Sequence, residues 1–197
     1  MNIVAFHGSP RLGGNSDLLL QEVLRTIDTD VHAVRVFRLN LISLRPCQNC
    51  GGCDETGVCV IEDDMRAIYN AIRTADMVIL TSPIFFFGLS AQTKTMIDRC
   101  QCLWCEKYLL KKPISEGIHG RKGLLLLVGG MKKELGIQCG EATAKAFFRT
   151  ISVTEHETMS FLGVDQKGAI LNHQTALYDA HIAGERLINS DKELLER

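Results

Sequence analysis

No apolar stretch in this chain approaches the ~20 residues that cross a bilayer; the strongest run covers residues 124–128. Neither sign of charge dominates, with 22 lysines and arginines against 23 aspartates and glutamates and a formal net charge of −1. That balance gives no electrostatic reason to expect nucleic acid or a membrane surface as a partner. The opening MNIVAFHGSPR carries neither a basic leader nor a long apolar core, so no secretory signal is expected there. With only four prolines, no low-complexity tract and no repeat of fixed period, the chain shows no obvious interdomain linker. No Ser-His-Asp order, His-Glu-x-x-His motif or paired-carboxylate site emerges, which leaves hydrolysis unsupported. The expectation is a soluble, cytoplasmic protein whose 197 residues form one domain, 1–197. In that compartment its eight cysteines are not read as a disulfide framework.

What is present is an alternation of strand and helix patterns. Residues 3–6 read as a short buried strand ending in a turn-rich segment, 8–15. Behind it Leu19, Val23 and Ile27, with Leu20 and Leu24, recur at helical spacing, and Asn15 or Ser16 stands where a cap belongs. Strand patterns follow at 31–39, 77–80, 124–128 and 158–162. Helical patterns follow at 63–72, 90–105, 142–151 and 173–197, the first of these opened by Asp63 and Asp64, whose charge suits a helix N-terminus. Five β-then-α units predict an α/β fold, a doubly wound five-stranded parallel sheet with helices on both faces. Ligands of such sheets sit beyond the carboxyl ends of the strands. The loops after the first, third and fourth strands therefore carry the functional expectation.

The first loop is Gly8-Ser9-Pro10-Arg11-Leu12-Gly13-Gly14-Asn15-Ser16. Glycines allow close backbone approach, a helix start offers free N–H groups, and hydroxyls and Arg11 add donors for an anion. Gly8 and Gly13 have the P-loop spacing, but Gly14-Asn15 replaces the lysine that grips β- and γ-phosphates. The string does not match G-x-G-x-x-G either. A terminal monophosphate fits best; a ligand-free turn is the plain alternative. In the second loop Phe85, Phe86 and Phe87 follow Pro83 at a strand end, where three large apolar groups cannot all enter one core. They suit a planar ring, or else a core cluster or dimer contact. Gly129-Gly130-Met131 can close over the ring edge, or serve as an ordinary turn.

Cys47-x-x-Cys50-x-x-Cys53-x5-Cys59, in a loop at about 43–61, is the sharpest signal. Two-residue spacers bring successive thiolates onto neighbouring corners of one small inorganic core, and Gly51, Gly52 and Gly57 permit the tight path. Four ligands within thirteen residues favour a [4Fe–4S] cluster over zinc, which more often takes two separated Cys-x-x-Cys hooks. Free or redox-active thiols remain the third reading. Cys100, Cys102, Cys105 and Cys139 are expected to be small buried apolar residues, with Cys102 and Cys105 on one helix face and Cys100 on another. Trp104 and Tyr108 suit a subunit interface or the core equally. His7 is expected to satisfy strand-end backbone groups.

GSPRLGGNS, together with SPIFFFGLSAQTKTMIDR at 82–99, resembles the NADPH-dependent FMN reductases, a flavodoxin-like family. The resemblance implies that Ser9, Arg11, Asn15 and Ser16, beside Gly14, hold the FMN phosphate. It also implies that Pro83, Ile84, Phe85 and Phe86, with neighbouring Gly88 and Gly129, line the isoalloxazine ring. Relatives usually carry tyrosine where this chain has Phe85, so no role of that hydroxyl transfers. CQNCGGCDETGVCVIEDDM is similar to the cluster loop of the iron–sulfur flavoproteins, a branch of the same family. That branch implies metal ligation by Cys47, Cys50, Cys53 and Cys59, and a homodimer or tetramer in which a cluster serves a neighbouring flavin. The expected function is an FMN-dependent oxidoreductase that couples one-electron transfer to two-electron flavin chemistry. Competing readings are an NAD(P)H-dependent FMN or quinone reductase with a minor cluster, a non-enzymatic flavodoxin-like carrier, and a zinc-stabilised interaction protein. The electron donor, NAD(P)H or a ferredoxin-like protein, has no fingerprint in the chain.

Overall fold

The computed structural model describes residues 1–117 and 120–189. Its strands are β1 (Asn2–His7), β2 (Ala33–Arg38), β3 (Met77–Phe85), β4 (Gly88–Leu89), β5 (Lys122–Gly129) and β6 (Glu155–Leu162). Five of them form a parallel sheet in the order β2-β1-β3-β5-β6, with Phe6 beside Phe37 and Leu80, and Leu80 beside Leu125. The sixth, β4, is a two-residue return that pairs antiparallel with the end of β3. The expected flavodoxin-like strand order is thus present, and the β3–β4 hairpin is an addition.

Both faces of the sheet are covered, which is why β3 and β5 read as continuous apolar runs instead of alternating. On one face, α1 (Asn15–Arg25) and α6 (Ala176–Asn189) pack Leu19, Val23, Ala180 and Leu187 against Ile3, Ile79, Leu124 and Leu126. On the other, α2 (Met65–Thr74), α3 (Ala91–Arg99) and α5 (Leu135–Thr150) set Ile68, Met96 and Phe147 against Phe6, Val78, Leu80 and Leu125. No described helix is long and apolar enough to cross a membrane.

Four expectations are corrected. The single helix at 90–105 is broken: α3 ends at Arg99, α4 (Gln101–Trp104) follows, and a π-turn covers Cys105–Leu109. Cys100, Cys102 and Cys105 are all buried, as expected, but the break changes their grouping: Cys100 and Cys102 share one core cluster, while Cys105 turns to the cysteine loop. Helix α5 begins seven residues early, and its buried line runs Gly136, Gly140, Ala144, Phe147, which leaves Cys139 exposed. The N-cap of α1 is Gly14 without a side-chain bond; Asn15 and Ser16 already lie within the helix. Asp17 performs the tightening, its Oδ2 accepting the Gly13 N–H at 2.8 Å. The last helix starts at Ala176, after a 3-10 turn at Ala169–Asn172, and its expected part beyond 189 lies outside the described residues.

Candidate functional site

A cavity of about 1020 Å³ opens at the carboxyl edge of the sheet. Ser9, Arg11, Gly14, Asn15 and Ser16 line one end of it, and Pro83, Ile84, Phe85, Phe86 and Gly129 line the other. Of the expected FMN residues only Gly88 is not part of the wall. Two loops are sewn together beneath it. The Gly8 N–H donates to the Thr81 carbonyl at 2.8 Å, and the Ser90 hydroxyl donates to the Gly8 carbonyl at 2.6 Å while capping α3. A Cβ on Gly8 would stand 1.8 Å from the Thr93 hydroxyl oxygen, so only glycine permits this approach.

The anion end is built on the first turn of α1, whose backbone N–H groups lack intrahelical acceptors and carry the positive end of the helix dipole. Asp17 is bonded to Arg38 at 3.0 Å as well as to Gly13. Burial opposes its ionisation, but the Gly13 N–H and the nearby cations outweigh burial and hold the carboxyl below its ordinary range. The Arg11 guanidinium has a 3.4 Å bond to the Asp165 carbonyl, weak enough to exchange for a phosphate oxygen. Asn15 is committed elsewhere as well: its amide donates to the Gln166 carbonyl at 2.9 Å and its oxygen accepts from the Ile170 N–H at 3.2 Å. It lines the cavity and also ties α1 to the segment after β6.

The ring end is apolar. The hairpin tip holds Phe86 and Phe87 at positive φ, +48° and +63°, and Phe86 is fully exposed. Phe85 and Met131 on the cavity wall are also exposed, as are Leu12 and Leu135, the chain neighbours of wall residues Arg11 and Gly136. The end of β6 supplies Leu162 and the segment after it Val164, Asp165 and Lys167; Lys133 adds a second cation to the wall, and Lys94 lines it while paired with Asp98 at 2.7 Å. Sequence reasoning passed over this segment, although the rule about strand carboxyl ends applies to the fifth parallel strand as well as to the others. A helix start with free N–H groups at one end and an apolar slot at the other match the phosphate and the ring of FMN, so the residues present fit that cofactor.

His7 departs from expectation. Its ring is buried and neither nitrogen has a hydrogen-bond partner among the described residues; the Asp17 carboxylate lies 3.8 Å from Nε2. Burial pushes its pKa down.

The cysteine segment lies between β2 and α2. Its two flanks meet at a closed neck, where Ser43 donates to Asp64 at 2.7 Å and Arg45 to Asp63 at 2.9 Å. Cys53 and Cys59 pack against the core, Cys47 is half-buried and Cys50 is exposed. Four thiols on one stretch, two packed against the core and one exposed, form a soft donor set that fits an iron–sulfur cluster. Cys105, expected to be plain core, faces the loop instead: its Sγ lies 3.8 Å from that of Cys53. Burial first, then the neighbouring thiol, pushes the Cys53 pKa up to about 12. Trp104 is partly exposed and its ring rests 5.3 Å from that of Tyr108.

The parallel order with a ligand-sized cavity at the carboxyl edge defines a flavodoxin-like α/β protein. Residues 1–157 match the family model described as NADPH-dependent FMN reductase, and the chain belongs to that family, in its iron–sulfur flavoprotein branch. It is 39% identical over 103 residues to an iron-sulfur flavoprotein of Methanocaldococcus jannaschii, covering 52% of this chain and 53% of that protein. It is 30% identical over 139 residues to an iron-sulfur flavoprotein of Archaeoglobus fulgidus, covering 69% of this chain and 67% of that one. The match to the first therefore spans about half of that relative's length. Among solved structures, an NAD(P)H:quinone oxidoreductase from Methanothermobacter marburgensis superposes with a TM-score of 0.70 over 95% of this chain and 98% of that one. At 16% identity that likeness establishes the fold.

Proposed function

We propose that the chain binds FMN in the edge cavity and a [4Fe–4S] cluster on Cys47, Cys50, Cys53 and Cys59, and acts as an FMN-dependent oxidoreductase. The observation that carries the reading is one cavity with an anion-binding helix start at one end and an apolar aromatic wall at the other. FMN accepts two electrons as hydride or one at a time, and a cubane passes one, so together they join the two kinds of electron transfer. Ser9, Arg11, Ser16 and the Gly14 backbone anchor the phosphate. Pro83, Ile84, Phe85 and Gly129 enclose the ring and exclude water from one side. Arg99 and Asp63 hold the neck of the cysteine loop closed.

The exposed apolar rim of Leu12, Phe85, Phe86, Met131 and Leu135 supports self-association, as a homodimer or tetramer that covers the cavity mouth. Lys133 and Lys167 on the cavity wall support an anionic electron donor, either NAD(P)H or an acidic ferredoxin-like protein. An anaerobic preparation tests the whole: its visible spectrum and its flavin, iron and sulfide counts should show one FMN and four irons per chain. Zinc with no iron would sink the electron-transfer reading. Steady NAD(P)H oxidation separates a reductase from a carrier.

A further inference from the structure

The four-cysteine motif does not use Cys105, yet the fold brings that thiol to it. Cys105 opens the π-turn after α4 and is completely buried. Its Sγ lies 3.8 Å from the Cys53 Sγ and 3.3 Å from Asp54 Oδ1, and all three donor atoms lie within 4.8 Å of one another. The loop is seated there firmly. The Gly57 N–H bonds back to the Cys53 carbonyl at 2.9 Å, and a Cβ on Gly57 would come within 3.2 Å of Glu106 Cβ.

These spacings discriminate between chemistries. A disulfide needs sulfurs about 2.05 Å apart, far closer than these. Two corners of a cubane carry their thiolates on different irons, separated by a metal–metal edge as well as two metal–sulfur bonds. A single tetrahedral ion with metal–sulfur bonds of about 2.3 Å holds its two sulfurs about 3.8 Å apart. The Cys53–Cys105 pair has that last spacing, and the Asp54 carboxylate stands at a third corner. The Gln101 side-chain N–H, 3.6 Å from the Cys105 sulfur, is placed to steady that ligand.

We propose that Cys53, Cys105 and Asp54 form a mononuclear site for one thiophilic divalent cation, zinc or ferrous iron, with solvent in the fourth position. Each thiol gives its proton to solvent as its metal–sulfur bond forms, and no electrons are transferred. The site stands on its own geometry. Its consequence, which rests on the cluster reading, is that ion and cluster exclude one another because both require Cys53. The loop then has two metal states, one seated on the π-turn and one carrying the cluster.

Cobalt(II) is the probe. The FMN-loaded full chain, freed anaerobically of iron and zinc, should bind one equivalent with the intense visible bands of a tetrahedral thiolate complex, and zinc should displace it. Cys105→Ala should weaken cobalt by about 100-fold or more, beyond what loss of a supporting partner costs. Asp54→Asn, at an exposed position that cannot disturb the core, should weaken it about 10-fold, so the site is tested even if the cysteine variant folds poorly. Cys47→Ala and Cys50→Ala should leave the affinity unchanged. Loss of cobalt binding in the Cys47 or Cys50 variants, with no change on substituting Cys105 and Asp54, would overturn the proposal. Reconstitution with iron and sulfide is a separate readout: wild-type chain that binds cobalt as described but never forms a four-iron chromophore would refute the cluster and leave this site standing.

Discussion

The Arg99 guanidinium grips the Asp63 carboxylate through two hydrogen bonds, 2.6 and 3.1 Å long, with both side chains almost wholly withdrawn from water. The same group donates to the carbonyls of Arg45 at 2.8 Å and Ile61 at 3.2 Å. Arg45 and Ile61 stand on opposite flanks of the cysteine segment, so one buried cation on α3 clasps both ends of it. The loop between is free of regular structure, yet its neck belongs to the core.

This clasp predicts a pH signature. Burial alone would raise the pKa of Asp63, but its bonds from Arg99 and from the Arg45 and Met65 N–H groups outweigh burial and hold it below the ordinary range. A carboxyl depressed in the folded state stabilises the fold above its unfolded pKa of about 3.9, and that contribution is lost as pH falls through the folded value. Asp63→Asn should cost about 2–4 kcal/mol at pH 7, since it leaves Arg99 buried without its counter-charge. Measured by urea unfolding, the gap between variant and parent should be flat above about pH 5 and shrink below about pH 4. A gap that stays constant down to about pH 2 would contradict the pairing.

Arg11→Ala should weaken FMN by about 1–3 kcal/mol, the scale of one charge-assisted hydrogen bond, without unfolding the domain. Quenching of flavin fluorescence on titration into apoprotein measures it directly. Equal affinities in parent and variant would remove Arg11 from the phosphate site.

Cys59→Ala tests whether the cluster needs its fourth thiolate. The variant should lose iron while keeping FMN, because the flavin loops lie at the sheet edge and not on the cysteine segment. Exchange with a one-electron protein partner should collapse, and reduction by a small hydride donor should survive. Loss of both activities would mark the loop as a support of the flavin pocket. Retention of both would make the cluster a bystander.

The succession of strands and helices, the glycine-rich loop and the cysteine motif were legible because each is written locally, in apolar runs, glycines and two-residue spacings. What escaped reading depends on where the chain turns in space. The break at Cys100 re-aims the following residues, so a helix drawn straight through 90–105 pairs Cys102 with Cys105, whereas Cys102 joins Cys100 in the core and Cys105 meets the cysteine loop. Asn15 has the identity of a cap, but its partners lie more than 150 residues away, after β6. His7 shows the same limit: its spacing suggests a strand-end bond, and only packing reveals a ring with no partner among the described residues.

The β3–β4 hairpin gives the last prediction. Ile84 pairs with Leu89 and Phe85 with Gly88, which leaves Phe86 and Phe87 as a two-residue turn with both φ values positive. Such turns favour Asn-Gly, because a side chain at positive φ clashes with its own backbone. Two phenylalanines there hold strain on the order of 1–3 kcal/mol each. Phe86 is fully exposed, so its ring contributes nothing to the core that offsets the strain, and it stands on the cavity wall. The double variant Phe86→Asn, Phe87→Gly should therefore raise the stability of the flavin-free chain, by about 1–3 kcal/mol after some lost packing at half-buried Phe87. The same change removes aromatic surface from the ring end, so FMN affinity should fall. Thermal unfolding of apoprotein and flavin titration should move in opposite directions. If both decline together, the phenylalanines are ordinary packing; if affinity is unchanged, the hairpin tip does not touch the flavin.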